Sequence, residues 1–287
     1  MAVVLGLLAA ITYGTADFFG GLSTKRNPMV RVVLLSQIAG FALLLVAVAF
    51  LPEGRFTAGA WVWGGLSGLA GAVGIGFLYR GLARGRMSVV APTTAVVFAV
   101  VPVAFGLVTG ERPTALQLAG VAVALPAVAL VSTSPEAGVP RAAAGGSVGR
   151  MVRAGVPEAL FAGLGIAAFA ILLDRSGEGT GPWPLVAARI ASVTVFLTAV
   201  LVSRTAPRPV PGTVPTIVAA GVLDVTANLL YLLATRAGLL SIAVVLTALY
   251  PAATVVLARV VLGELLSLVQ LVGLFLALVG VAAIAAG

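Results

Sequence analysis

Among its 287 residues the sequence has no cysteine and no histidine, and only 9% of its residues are charged. Without thiols there is no disulfide scaffold, no Fe–S cluster and no cysteine nucleophile. Without imidazole there is no His-held haem, none of the usual zinc sites and no Ser-His-Asp relay. No Walker A motif, no GxGxxG after a strand and no metal-ligand cluster appears, so no cofactor and no metal is expected. The scarcity of charge decides the class. A soluble domain carries about 25% charged and about 45–50% apolar residues. Here 61% are apolar and the mean hydropathy is +1.18. That excludes a water-soluble globule and a disordered chain, and it implies a polytopic protein whose partner is the lipid bilayer. The net charge is +8 and the pI about 11.2. The 17 Lys and Arg stand singly between apolar runs. They form no basic face, so no nucleic acid is expected; loop charges that orient a membrane protein explain them.

A helix needs about 20 apolar residues to cross the hydrocarbon core. Ten stretches qualify: 3–22, 30–51, 58–80, 87–110, 114–132, 153–173, 184–203, 213–236, 239–263 and 267–286. Turn-like or charged breaks separate them, such as Lys25-Arg26-Asn27-Pro28 and Gly110-Glu111-Arg112-Pro113. The first stretch lacks a basic leader and carries Asp17, so it is expected to remain as a helix and not to be a cleaved signal. The runs are continuously apolar and not alternating, which argues against a barrel. The longest break, rich in Gly, Ala, Pro and Ser, reads as a linker over 133–152.

The stretches on either side of that linker match each other. Without a gap, Ser88 aligns with Ser241, Thr94 with Thr247, Gly110-Glu111 with Gly263-Glu264, Gln117-Leu118 with Gln270-Leu271, and Gly120 with Gly273. This divides the chain into five-helix repeats over 1–132 and 153–287. Five is odd, so the second copy runs in the opposite sense. The expected fold class is an all-α polytopic membrane protein of ten transmembrane helices in two inverted five-helix repeats. Secondary transporters use that architecture, with sites near the midplane between repeats.

The paired Gly-Glu turns with their Gln-Leu-x-Gly helices, Tyr79-Arg80-Gly81-Leu82-Ala83, and Pro251 inside the ninth stretch resemble the EamA-type branch of the drug/metabolite transporter superfamily. The resemblance covers nearly the whole chain. It departs at Pro92 and Pro102, which face Val245 and Val255, and at Leu232-Leu233-Ala234-Thr235 after the second tyrosine. It implies a ten-helix carrier of small organic metabolites such as amino acids or drugs, commonly an exporter, in the plasma membrane.

Polar groups inside the apolar runs are the candidate site. We call the side holding both termini side B and the other side A. At a rise of about 1.5 Å per residue, Asp17 lies roughly 8 Å and Gln37 roughly 10 Å below side A. Arg189 lies roughly 8 Å below side B, Asp224 near the middle, and Asn228 roughly 10–12 Å below side B. Asp17 and Arg189 are therefore expected near opposite mouths. Asp224, Asn228 and Tyr231 form one stripe at i, i+4, i+7, expected to face a central cavity and meet Arg189. The competing reading has Arg189 snorkelling to the interface and Asp224 structurally satisfied. Tyr13 and Asp17, one turn apart, are candidates for substrate binding or proton coupling, with a structural helix-to-helix bond as the alternative. Glu111 and Glu264 read as structural, with Thr114 and Ser267 as helix caps. Glu158 falls in the membrane or at its surface. The glycines of the third stretch, 64, 65, 68, 71, 74 and 76, read as a packing stripe. Pro92, Pro102 and Pro251 are expected to kink their helices.

The function expected is secondary transport of a small solute by alternating access, with protons as the candidate coupling ion. A membrane enzyme is disfavoured by the lack of His, Cys and clustered acids. A non-transporting assembly subunit is disfavoured by the repeat and the buried charges. For orientation, side A loops hold 12 Lys or Arg and side B loops 4 (Arg55, Arg112, Arg175 and Arg236). The positive-inside rule puts side A in the cytoplasm and the termini outside, whereas the family resemblance implies cytoplasmic termini; the charge count is preferred.

Overall fold

The computed structural model describes residues 1–50, 54–84, 87–132, 155–206, 208–263 and 265–287, with the side chains of 79, 82–84, 87–89, 91 and 92 outside the description. The linker 133–152 and Glu264 thus lie outside the described residues. Among those described there are helices and no strand. They are α1 (Ala2–Thr24), α2 (Met29–Val48), α3 (Ala58–Arg84), α4 (Met87–Val108), α5 (Ala115–Val131), α6 (Val156–Asp174), α7 (Trp183–Val202), α8 (Val214–Arg236), α9 (Leu240–Thr247), α10 (Tyr250–Leu262) and α11 (Leu268–Ala286). Eight spans are long and apolar enough to cross a membrane, α9 with α10 counting as one span over Leu240–Leu262. Thr93–Val108 and Ala115–Val131 are shorter apolar helices. Chemistry explains the class: in hydrocarbon each backbone polar group must be satisfied within its own segment, and a helix does this.

Local signals set the ends. Thr114 accepts from Gln117 N at 3.1 Å while Gln117 Oε1 accepts from Thr114 N at 3.0 Å, a complete capping box. Ser267 and Gln270 repeat it at the start of α11. Gly110 and Gly263 end the preceding segments with φ of 103° and 71°, a backbone region open to glycine. Pro251 does not kink a continuous helix. It stands in the first turn of α10, after a break at Ala248–Leu249, where its missing N–H costs nothing.

The packing has a two-fold pattern. α1 packs on α8 as α3 packs on α6. α2 packs on α8 as α3 packs on α7, and α4 on α6 as α9 and α10 on α1. Exchanging α1–α5 for α6–α11 turns these contacts into one another, while α2 with α7, α4 with α9, and α5 with α11 map onto themselves; the pattern is incomplete, since α4 packs on α5 without a matching contact between α9 or α10 and α11. Side-chain detail agrees. Gly14 of α1 lies against the Tyr250 carbonyl, and Gly163 of α6 lies against Val97. Val97 and Tyr250 are matched positions of the ungapped alignment.

The glycine stripe of α3 brings backbones together. A Cβ on Gly64 would strike the Pro184 carbonyl, and one on Gly68 the Ala188 carbonyl. Gly74 meets the backbone at Ile166 in the same way and Gly71 lies tightly against the Phe169 side chain, whereas Gly65 and Gly76 have open space among the described residues. The largest buried cluster includes Leu44, Leu173, Leu185, Leu232 and Leu240, each no more than 4% exposed. All five sit toward the side B ends of their helices. A smaller cluster around Val33, Leu34, Ala72, Phe196 and Val200 sits toward side A.

Candidate functional site

Arg189 is the hub of the site. α7 carries it about one and a half turns past Pro184, with the flanking Ala187 and Ala188 small enough for α3 to approach. Its guanidinium donates through Nη1 to Gln37 Oε1 of α2 and through Nη2 to Asp224 Oδ2 of α8. Ser192, one turn on, donates to the same Gln37 oxygen at 3.1 Å. The arginine side chain is 7% exposed and that of Asp224 35%. A cation so enclosed requires a partner, because an unpaired charge in a low-dielectric site costs several kcal/mol. Gln37 and Asp224 meet that need from opposite sides.

These side chains line a cavity of about 240 Å³ between the two halves. α1 contributes Tyr13 and Asp17, α2 Ser36 and Gln37, and α4 Phe98. α7 contributes Arg189 and Ser192, α8 Asp224, Asn228 and Tyr231, α9 Thr247 and α10 Tyr250. Asp17 is exposed on this cavity. The lining reaches Gly20 and Val32, within about two turns of the side A ends of α1 and α2. Toward side B lies the large leucine cluster, of which Leu185 lines the cavity. One cation therefore faces two carboxylates, an arrangement that favours a cationic or amphoteric guest over an anion.

The depth reading needs correction. Asp17 and Gln37 were expected near one mouth and Arg189 near the other. The structure brings all three to one cavity, with Gln37 bonded to Arg189. Rise per residue locates Cα atoms. It does not include the arginine side chain, which reaches along the helix axis toward mid-membrane. Snorkelling to side B is not what Arg189 does. The Asp224 stripe divides into three roles. Asp224 pairs with Arg189. Asn228 Nδ2 donates to the Asp224 backbone carbonyl at 2.7 Å. Tyr231, 1% exposed, donates its hydroxyl to Ala170 O at 3.2 Å and so ties α8 to α6.

Glu111 has a structural task. Its Oε1 accepts from Leu240 N at 2.6 Å and its Oε2 from Ser241 N at 3.1 Å, capping α9 from the other half of the chain. Glu158 lies in the first turn of α6, 3.9 Å from Arg80. Ser36, Ser192, Thr247 and Tyr250 are cavity residues that the sequence reading did not single out. Ser192 was findable, standing three residues after Arg189 on the same face.

A bundle of apolar helices packed as exchanged halves around a polar cavity defines a membrane carrier. The model of the EamA-like transporter family matches residues 1–133 and 153–286, and the chain belongs to that family. A solved crystal structure of a protein shares the fold with a TM-score of 0.77 at 20% identity, over 98% of this chain and 95% of that one. An uncharacterised protein of Methanocaldococcus jannaschii is 23% identical over 133 residues, which is 97% of its length and 46% of this chain.

Proposed function

We propose that the protein is a secondary transporter that moves a small amphoteric organic solute, of amino-acid size, across the plasma membrane. The observation that carries this is the cavity between the halves, where Arg189 is held by Gln37 of one half and Asp224 of the other. A volume of about 240 Å³ lies below the range of about 300–1,000 Å³ usual for drug-sized ligands, which favours a small metabolite. Arg189 offers its remaining donors to a solute carboxylate, and Asp17 offers a carboxylate to a solute ammonium group. The two-fold packing pattern supports two inverted five-helix repeats, 1–132 and 153–287, joined by a linker over 133–152. The M. jannaschii relative pairs nearly its whole length with less than half of this chain, which supports the repeat as a unit. Alternating access then consists of one repeat rocking against the other around a fixed site. The leucine packing toward side B, with a lining that reaches Gly20 and Val32 toward side A, fits a state open to side A.

Asp17 is proposed as the proton carrier, and export as the direction that the family resemblance implies. The charge count supports side A as cytoplasmic. A C-terminal green-fluorescent fusion compared with a C-terminal alkaline phosphatase fusion tests the orientation. Phosphatase activity without fluorescence supports external termini, and the reverse result refutes them. The transport reading is tested by counterflow in proteoliposomes with a panel of radiolabelled amino acids and cationic amines. Saturable exchange of an amphoteric member supports it, and no exchange by any member defeats it.

A further inference from the structure

Thr94 and Thr247 are matched positions of the two repeats, yet their hydroxyls have different fates. Thr94 Oγ1 donates to Ala159 O of α6 at 3.3 Å and does not line the cavity. Thr247 does line it. Thr247 is 1% exposed, and among the described residues its Oγ1 has no hydrogen-bond partner. Other threonines in these helices bond the carbonyl one turn back, as Thr12 does with Leu8 O, Thr194 with Ile190 O and Thr226 with Val222 O, each at 2.7–2.8 Å. Thr247 does not take that default. A buried hydroxyl left open costs stability unless a guest fills its valence.

The backbone around it is unusual as well. α9 ends at Thr247 and α10 begins at Tyr250. Pro251 withholds the N–H that a continuous helix would aim at the Thr247 carbonyl. The hydroxyl thus sits at a helix break, in a cavity that Tyr250 and Phe98 also line. Counting rise along each helix, Thr247 lies about 10 Å from the side B end, Asp224 about 18 Å and Asp17 about 22 Å. Arg189 starts about 9 Å from that end, but its guanidinium is bonded to Asp224, so the charged atoms gather toward the middle and side A part of the cavity, and Thr247 lies nearer side B.

We propose that Thr247 determines specificity by binding an uncharged hydrogen-bonding group, a hydroxyl or carboxamide, at the end of the solute away from its charged head. This rests on the amphoteric-solute reading above. A site built around such a bond rejects a solute of the same shape that lacks the group, because the buried hydroxyl is then left unpaired.

The test uses two near-isosteric pairs, L-asparagine with L-leucine and L-glutamine with L-methionine, in proteoliposome counterflow. The wild-type protein should favour the carboxamide member of each pair by about tenfold or more. Thr247→Val should bring that ratio to about one, and Thr247→Ser should keep it. The melting temperature of solute-free Thr247→Val should equal or exceed that of the wild type, since valine removes an unsatisfied group without a change of shape. A lower melting temperature means that the hydroxyl has a structural partner and overturns the assignment. So does an unchanged ratio in Thr247→Val, or a wild type that transports both members equally. In that last case the transport reading survives and only this inference falls. If none of the four solutes exchanges, this inference falls, and the wider panel of amino acids and cationic amines decides the transport reading.

Discussion

α4 and the α9–α10 pair hold equivalent places in the two halves, yet one is a single helix and the other is broken at Ala248–Leu249. The proline count does not explain it, since α4 carries Pro92 and Pro102. Pro251 stands in the first turn of a new helix, where its missing N–H is tolerated, whereas Pro92 and Pro102 lie inside a continuous one. The same asymmetry runs through the cavity. α8 brings Asp224 and Asn228 where α3, its counterpart, brings Ala72 and Gly76. α7 brings Arg189 where α2 brings Gln37. The shared features, glycine contacts and capped turns, build the frame. The features that differ supply the charge and the open hydroxyl.

The frame is broken most severely through its glycines. Gly68→Leu drives a side chain into the Ala188 carbonyl beside Arg189 and should cost about 3 kcal/mol or more. Gly76→Leu, into open space, should change stability by about 0.5 kcal/mol or less. Thermal unfolding in detergent compares them, and equal losses would refute the packing account. Next comes Glu111→Gln, which leaves one carbonyl oxygen where two carboxylate oxygens cap α9. A loss of about 1–2 kcal/mol is expected. Stability unchanged by that substitution would mean that the cap is not needed. The smallest structural effect is expected for Asp17→Asn. Its carboxylate is exposed on the cavity, so stability should stay within about 0.5 kcal/mol of the wild type. Solute accumulation driven by a pH gradient should nevertheless disappear, while counterflow without a gradient persists at a lower apparent affinity, because the asparagine carbonyl still accepts from the solute ammonium but carries no charge. Wild-type pH-driven uptake in this variant would remove Asp17 from coupling.

Much of this arrangement is legible in the chain. Continuous apolar runs give the helices, because lipid leaves the backbone no other choice. The capping boxes at Thr114 and Ser267 read directly from Thr-x-x-Gln and Ser-x-x-Gln. The Arg189–Asp224 contact follows from consecutive helices and depth. Gln37 was set at the wrong distance from Arg189 because side-chain length is absent from a rise-per-residue ruler. Thr247 escaped notice because a threonine in a membrane helix ordinarily bonds its own backbone. Only the placement of neighbouring carbonyls shows that this one does not. The hydroxyl of Tyr231 looked like a cavity group, but its bond to Ala170 depends on how α6 packs, which no local pattern encodes.

The account's central claim is that Arg189 and Asp224 act as one unit within the solute site. A double-mutant cycle on thermal stability and counterflow tests it most directly, with Arg189→Ala, Asp224→Ala and the combination. Each single variant leaves a buried or half-buried charge without its partner and should cost about 3 kcal/mol, the lower end of the range for a broken buried pair because Asp224 keeps 35% of its side chain exposed. The combined variant should lose clearly less than the two single losses added together, and none of the three should exchange an amphoteric solute. Strictly additive losses, or near-normal exchange in either single variant, would contradict the claim.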